Sequence, residues 1–427
     1  MTAKLTNRPI RFVFVNRYYE PDESASSQML TDLARGLAAS GLMVHVVCSR
    51  QLYGDPKARL PRHENLLGVT VHRVPTTRFG RTRLFGRAID YASFYAAAGV
   101  TLAKLLGIGD VLIAKTDPPL VSILAALIAR SKRAALINWQ QDVFPEVAVL
   151  LGVHLLPGWL DALLRRLRDS SLRFASMNVV IGSRMFEYFR GRGIPADRLC
   201  VIENWADSGA IVPKPSTASA LRARLELADR FVVCYSGNLG KAHEFDTLLS
   251  AASALRANPS IVFLIIGGGT KMAPLQRAVA ALSLENFRFL PYQPREELED
   301  SLAAADLHVV SLLPTLEGLI LPSKLYGILA AGRPLVFIGD PKGDIARVVS
   351  DAECGAIVEI NAGEALAAAI LRLQADPAAC DAMGTRARES LVNRYSMEKG
   401  IERWLALLDA KPQSRGGAVQ PPSLSGQ

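Results

Sequence analysis

Ser323 and Lys324 stand together where a breaker-rich turn (Glu317, Gly318, Pro322) gives way to an apolar run, Lys324 to Ala331, with the composition of a helix. Gly332 stops that run in the usual C-terminal manner and Pro334 opens a β-branched stretch, so the order is loop, helix, stop, strand. A helix whose first turn holds a hydroxyl and an ammonium beside unpaired backbone N–H groups and a positive dipole end suits phosphate oxygens. The same pair also reads as an ordinary cap with a solvated lysine. A second stretch, YSGNLGKAH (235–243), passes from a strand through Gly237 towards a helix, and the N–H groups of Gly237, Asn238 and Leu239 can face an anion there. A third, NWQQDVFPE (138–146), ends a strand with Asp142 and Glu146 at the edge where open α/β sheets take their ligands.

Strands must end at these residues for the chemistry to converge. Ile10–Val15, Val44–Cys48, Gly68–Val74, Asp110–Lys115 and Ala134–Trp139 are short apolar runs expected as strands, with helices at Ser24–Ala39, Leu84–Leu106 and Pro119–Ala129. The long helix carries Phe85, Tyr91, Phe94 and Tyr95, an aromatic stripe expected to be core. The loop NRYYEPDESASS (16–27) has no glycine and so no close approach to phosphate, but Tyr18, Tyr19, Asp22 and Glu23 can face an acceptor sugar. The second half repeats the pattern with runs at Phe231–Ser236, Ile261–Ile266 before Gly267, Phe287–Leu290, Asp306–Leu312 and Leu335–Ile338. Two doubly wound domains are expected, 1–207 and 208–394, with helix 395–410 crossing back to the first and 411–427 a disordered Gly-, Ser- and Pro-rich tail.

At 427 residues the chain is long enough for two cores, and with half its residues hydrophobic and 21% charged it is not a disordered protein. Its five cysteines are scattered without metal spacing, which predicts reduced thiols, no zinc and no disulfide. There is no run of 18 apolar residues, and the N-terminus leads directly into a strand, so the expectation is a cytoplasmic protein. The net charge of +9 asks for an anionic partner, either a nucleotide diphosphate or an acidic membrane face. Arginines spread through helices without aromatic interleaving or a recognisable module argue against nucleic acid.

The stretch LPSKLYGILAAGRP (321–334) resembles the nucleotide-sugar signature of family 4 glycosyltransferases, in the Pro-Ser-Lys variant of the bacterial surface-polysaccharide branch. The resemblance implies a GT-B fold, two Rossmann-like domains facing across a cleft with the donor held by the second. It implies retaining transfer of a hexosyl or N-acetylhexosaminyl group from a nucleotide diphosphate, foremost UDP, to a lipid-linked or growing exopolysaccharide, capsule or O-antigen. Neither metal nor other cofactor is implied. The donor set carried over is Gly237, Asn238, Leu239, Lys241, His243, Gly267, Pro291, Tyr292, Ser323, Lys324 and Leu325, with the base near Pro291 and Tyr292. Asp142, Glu317 and Lys324 are the implied catalytic residues, and Tyr18, Tyr19, Asp22 and Glu146 the acceptor side. The chain departs from the family at Leu319 and Gly327, where two glutamates stand, and at Asn238, where many members have arginine.

Between Val147 and Phe174 the pattern changes. Leu160, Leu163, Leu164 and Leu167 share a helical face with Arg165, Arg166, Arg168 and Arg173 around it, as in a helix lying at the cytoplasmic face of the inner membrane. A core-facing helix with a solvated basic side fits the same residues. For function, a UDP-sugar epimerase of the same fold and a nucleotide-binding protein without turnover stay open beside the transferase.

Overall fold

The computed structural model describes residues 9–80, 84–153 and 157–410; the tail from Lys411 lies outside them. The chain forms two compact units, one of Met1–Val149, Val153–Ile202 and the segment from Ile401, the other of Leu150–Gly152 and Glu203–Gly400.

In the first unit the strands are β1 (Arg11–Val15), β2 (Met43–Ser49), β3 (His63–Leu66), β4 (Val69–Val74), β5 (Val111–Lys115), β6 (Ala135–Gln140), β7 (Met177–Val180) and β8 (Leu199–Val201). They form one sheet in the order β3-β4-β2-β1-β5-β6-β7-β8. Only β3 runs antiparallel to its neighbour, β4. Its sequence, HENL, is half solvated and carries no apolar alternation, so the local pattern predicts no strand there. The helices are α1 (Ala25–Ala39), α2 (Leu84–Leu105), α3 (Val121–Lys132), α4 (Glu146–Leu150), α5 (Gly158–Phe174) and α6 (Ser183–Gly191). Val13, Val15, Leu112 and Ala114 of the central strands pack against Phe94, Ala98 and Leu102 of α2 and Val121 and Ala125 of α3. The aromatic stripe of α2 is core only in part: Phe94 is fully buried, whereas Phe85 is 80% exposed.

The second unit has β9 (Phe231–Asn238), β10 (Ile261–Gly268), β11 (Phe287–Leu290), β12 (Leu307–Ser311), β13 (Leu335–Ile338) and β14 (Gly355–Val358), all parallel, in the order β11-β10-β9-β12-β13-β14. Its helices are α7 (Ala220–Arg224), α8 (Asp246–Ala254), α9 (Met272–Ala281), α10 (Leu298–Ala303), α11 (Lys324–Ala330), α12 (Asp344–Asp351), α13 (Gly363–Ala375) and α14 (Pro377–Ser390). A final helix, α15 (Met397–Asp409), begins in this unit and ends in the first. The strand order reverses between β1 and β5 in one sheet and between β9 and β12 in the other. In open parallel sheets the crevice beyond the strand ends at such a reversal is where ligands bind.

Candidate functional site

In the second unit the reversal is marked by Lys324. Its ammonium lies 3.6 Å from the centre of the Tyr235 ring. A Cβ built on Gly237 would stand 3.4 Å from Nζ, so the glycine leaves the strand end open beside the charge. Tyr235 and Gly237 are two residues apart on β9 and therefore share a face. Nζ is buried and has no hydrogen-bond partner among the described residues. Burial pushes its pKa down to about 7, with Cys234 acting in the opposite direction. A buried ammonium without hydrogen bonds is costly, and an anion's oxygens would satisfy it. Beside it His243 Nδ1 donates to the Ser311 carbonyl, and burial followed by the Lys324 charge holds its pKa near 4. The ring is therefore neutral at physiological pH, with a lone pair on Nε2.

α11 is only seven residues long, and Ser323 caps it by position alone, with φ −66°, ψ −18° and no side-chain bond to the helix. The expected dipole contribution is correspondingly small. Positive charge at this point rests on the ammonium.

The glycines fix the floor. Gly267 is paired in register with Gly237, and at φ +136° a Cβ on it would stand 2.1 Å from the Gly237 carbonyl oxygen. The Asn238 amide lies against Gly240 and Gly269. At the ends of β10 and β11, Pro291 precedes Tyr292, whose ring is 58% exposed and lies over Gly268, with its hydroxyl 3.3 Å from the Gly268 carbonyl. Such a flat exposed ring can take a stacked base.

Some expected members take no side-chain part. Leu239 and Leu325 are fully buried core residues, and their backbone N–H groups are taken within the fold, that of Leu239 donating to the Gly268 carbonyl at 2.7 Å and that of Leu325 to the Pro322 carbonyl at 3.4 Å, so the expected Leu239 N–H does not face an anion. Lys241 is exposed and donates to the Leu151 carbonyl at 3.1 Å, so it does not join Lys324 in a cationic pair. The Glu317 carboxylate lies against Gly343 at the start of α12, where a Cβ would be 2.3 Å from Oε1. Leu319 is buried, and a Cβ on Gly327 would meet Leu302 at an ordinary 3.6 Å.

In the first unit Asp142 lines a small cavity at the ends of β5 and β6 with Lys115, Thr116, Gln140 and Arg168. Burial and then the charge of Asp117 raise its pKa to about 6, while Lys115 opposes them. Lys115, which sequence reasoning treats only as a strand residue, donates to the Ser26 carbonyl at 2.9 Å and lies 3.9 Å from the Trp139 ring centre. Burial brings its pKa to about 7. Tyr235 escapes sequence reasoning in the same way, although its position two residues before Gly237 is a usable signal.

The expected acceptor residues are built into the fold. Tyr18 and Tyr19 are 3% and 1% exposed. Asp22 accepts from the backbone N–H of Ser24 at 2.9 Å, from the Ser24 hydroxyl and from the N–H of Tyr53. Glu146 is not open to a sugar: Arg168 grips it at 2.6 and 2.9 Å, and the Tyr188 hydroxyl donates to it at 2.6 Å. These bonds hold its carboxyl below the usual range against the opposing effect of burial.

That ion cluster also corrects the reading of α5. Arg168 is buried, with Asp169 as its second partner at 2.8 Å, and Arg165 is held by Asp161 at 2.6 Å and Glu146 at 3.1 Å. Only Arg166 and Arg173 of the four arginines are exposed. The buried side of the helix carries Arg168, Asp169, Ser171 and Leu172, whereas Trp159, Leu163 and Leu167 face solvent at 70%, 42% and 41%. No helix among the described residues is long and apolar enough to cross a membrane.

Two units of parallel sheet, each with its ligand end at a strand-order reversal, define the GT-B glycosyltransferase architecture. The structure of Anabaena HepE in complex with UDP has it too, with TM-score 0.70 at 16% identity over 94% of this chain and all of that one. Residues 25–205 match the model described as glycosyl transferase 4-like domain, and residues 218–390 the model described as glycosyl transferases group 1. The chain belongs to this family and is a glycosyltransferase. Similar proteins include the putative colanic acid biosynthesis glycosyl transferase WcaI of Escherichia coli, 25% identical over 82% of this chain and 89% of its own length. The probable glycosyltransferase WbjE of Pseudomonas aeruginosa is 26% identical over 65% of this chain and 69% of its own length.

Proposed function

We propose that the protein transfers a hexosyl or N-acetylhexosaminyl group from a UDP-sugar, with retention at the anomeric carbon, to a lipid-linked or growing bacterial surface polysaccharide. The observation that carries the donor half is the buried, unpartnered Lys324 ammonium over Tyr235. As the glycosidic bond breaks, negative charge gathers on the departing diphosphate, and a fixed cation within reach stabilises it most at that moment. Gly237 and Gly267 let the pyrophosphate approach the strand ends, and the Ser323 hydroxyl and His243 Nε2 stand as polar partners of the donor. Tyr292 offers its ring to the uracil. Lys324 supplies positive charge that a divalent ion would otherwise bring, and the reaction proceeds without metal.

Asp142 is the ionisable group of the acceptor half, taking a hydrogen bond from a sugar hydroxyl in its charged form. HepE forms a complex with UDP, and WcaI is named for colanic acid biosynthesis, which supports both ends of the assignment. The exposed apolar side of α5 is the contact with the cytoplasmic face of the inner membrane, where a lipid-linked acceptor is found. The test is UDP release from a panel of UDP- and GDP-sugars, with and without a membrane extract containing lipid-linked saccharides. Acceptor-dependent release from a UDP-sugar is expected. Release from GDP-sugars alone, or independent of acceptor, would overturn the proposal.

A further inference from the structure

Arg17 stands just past the end of β1, at the strand-order reversal of the first unit. Its backbone N–H donates to the Asp117 carbonyl at 2.6 Å, and its carbonyl accepts from the Ser49 N–H at 2.8 Å, which fixes it between the ends of β5 and β2. The residue is 4% exposed, yet its guanidinium makes no hydrogen bond among the described residues, and Nε is buried without a partner. The guanidinium carbon lies 5.2 Å from the centre of the Tyr18 ring and 5.0 Å from that of Tyr91. Asp90 is its charge partner at 3.7 Å, too long for a hydrogen bond.

The Asp90 oxygens are engaged elsewhere. One accepts from the Thr77 hydroxyl at 2.7 Å and the Phe79 N–H at 3.1 Å, and the other from the Gly80 N–H at 3.0 Å. Asp90 therefore balances the charge of Arg17 without using its donors. Pinning the chain at 77–80 accounts for Asp90, but not for Arg17, which adds a buried charge and no hydrogen bond. A guanidinium carries five N–H donors in a planar fork, and leaving them unmet is costly, whereas two oxygens of one phosphate fit the fork. The place suits the acceptor half of the reaction. Arg17, Asp117 and Asp142 each stand two residues past the end of a strand, on the neighbouring strands β1, β5 and β6. Arg17 and Asp142 are thus two strand spacings apart, about 10 Å. One crevice can hold a sugar hydroxyl at Asp142 and a phosphate at Arg17.

We propose that Arg17, backed by Tyr18, Tyr91 and Asp90, binds the phosphate ester that joins a lipid-linked acceptor to its carrier. The inference rests on the lipid-linked acceptor proposed above and gives its anionic group a second phosphate site, distinct from that of Lys324.

Geranyl diphosphate is the probe, with geraniol as its uncharged counterpart and inorganic pyrophosphate as the anion alone. Each is titrated calorimetrically into the full chain saturated with UDP, so that the Lys324 site is filled, and into Lys324→Met. Geranyl diphosphate should bind both proteins at least as tightly as pyrophosphate does, and geraniol neither. Arg17→Gln should weaken geranyl diphosphate about 10- to 100-fold, the worth of a hydrogen bond to a charged group. Arg17→Lys, which keeps the charge without the fork, should fall between. Unchanged near-ultraviolet circular dichroism, to which the Trp139–Trp404 pair of this unit contributes, controls for folding. Full binding by Arg17→Gln, or pyrophosphate bound more tightly than geranyl diphosphate, would overturn the assignment. Diphosphate binding confined to the UDP-free wild type would make Lys324 the phosphate site in use, refuting this inference and leaving the donor reading intact. Arg17-dependent binding in a wild type that does not take UDP would uphold the inference and refute the donor reading.

Discussion

Replacing Lys324 by methionine should make the ligand-free protein more stable and blind to nucleotide at the same time. The folded pKa of about 7 stands against an ordinary 10.5. That gap corresponds to about 5 kcal/mol of disfavoured charge. The contact with the Tyr235 ring offsets up to about 2 kcal/mol. Methionine keeps the apolar stem and removes the charge, so a gain of about 3 to 5 kcal/mol is expected, on the order of 10 °C in the transition of the second unit. The sign follows from the depressed pKa of a cation. The penalty is full below pH 7, where the folded state must hold the charge, and it fades by about 1.4 kcal/mol per unit as pH rises towards 10.5, where both states are neutral. The advantage of Lys324→Met is therefore largest below pH 7 and shrinks above it. UDP at a hundredfold excess over its Kd should stabilise the wild type by about 2.7 kcal/mol and leave the variant unmoved. Scanning calorimetry at pH 6.5, 8 and 9.5, with and without UDP, reads both effects. A variant less stable than wild type, or one that still responds to UDP in full, would refute the reasoning.

Asp142→Asn should lower kcat/KM by about 10- to 100-fold, the worth of a hydrogen bond to a charged group. Because the raised pKa of Asp142 lies near 6, kcat at saturating UDP-sugar, where the bound diphosphate keeps Lys324 charged, should climb with pH to a plateau above that value, and the variant should lose this acidic limb; an unchanged profile would remove Asp142 from the reaction. Gly267→Ala places a methyl against the Gly237 carbonyl at a backbone angle that side chains rarely adopt, and should cost more than about 3 kcal/mol in the second unit, read by denaturant unfolding. Activity should survive excess EDTA, with at most a modest rise on adding Mg²⁺; complete loss restored by one divalent ion would move the cation's work away from Lys324.

The strands are legible because each parallel strand buried on both faces is a short β-branched or apolar run, as at Val111–Lys115 and Ile261–Gly268. The order loop, helix, stop and strand from 317 to 338 is legible because these are local events. Side-chain environment is not legible, because it depends on partners distant in sequence. Nothing near Arg168 announces that Glu146 will draw it inwards and turn the leucines of α5 out, and nothing near Lys324 announces that Tyr235 will cover it. Asp22 and Glu146 look available for a sugar for the same reason, since a carboxylate's hydrogen bonds are invisible in its own segment. Phe85 reads as core in the sequence because a stripe on a long helix says which residues share a face and not which face meets the sheet.

The central claim, that the Lys324 ammonium takes the diphosphate, is tested most directly by counting protons. At pH 8 the free lysine is mostly neutral, and a diphosphate bound beside it would restore its charge. Isothermal titration of UDP into the protein at pH 8, in two buffers of different ionisation enthalpy, should show uptake of close to one proton per UDP in the wild type and none in Lys324→Met. Tight UDP binding with no proton uptake in the wild type would contradict the account.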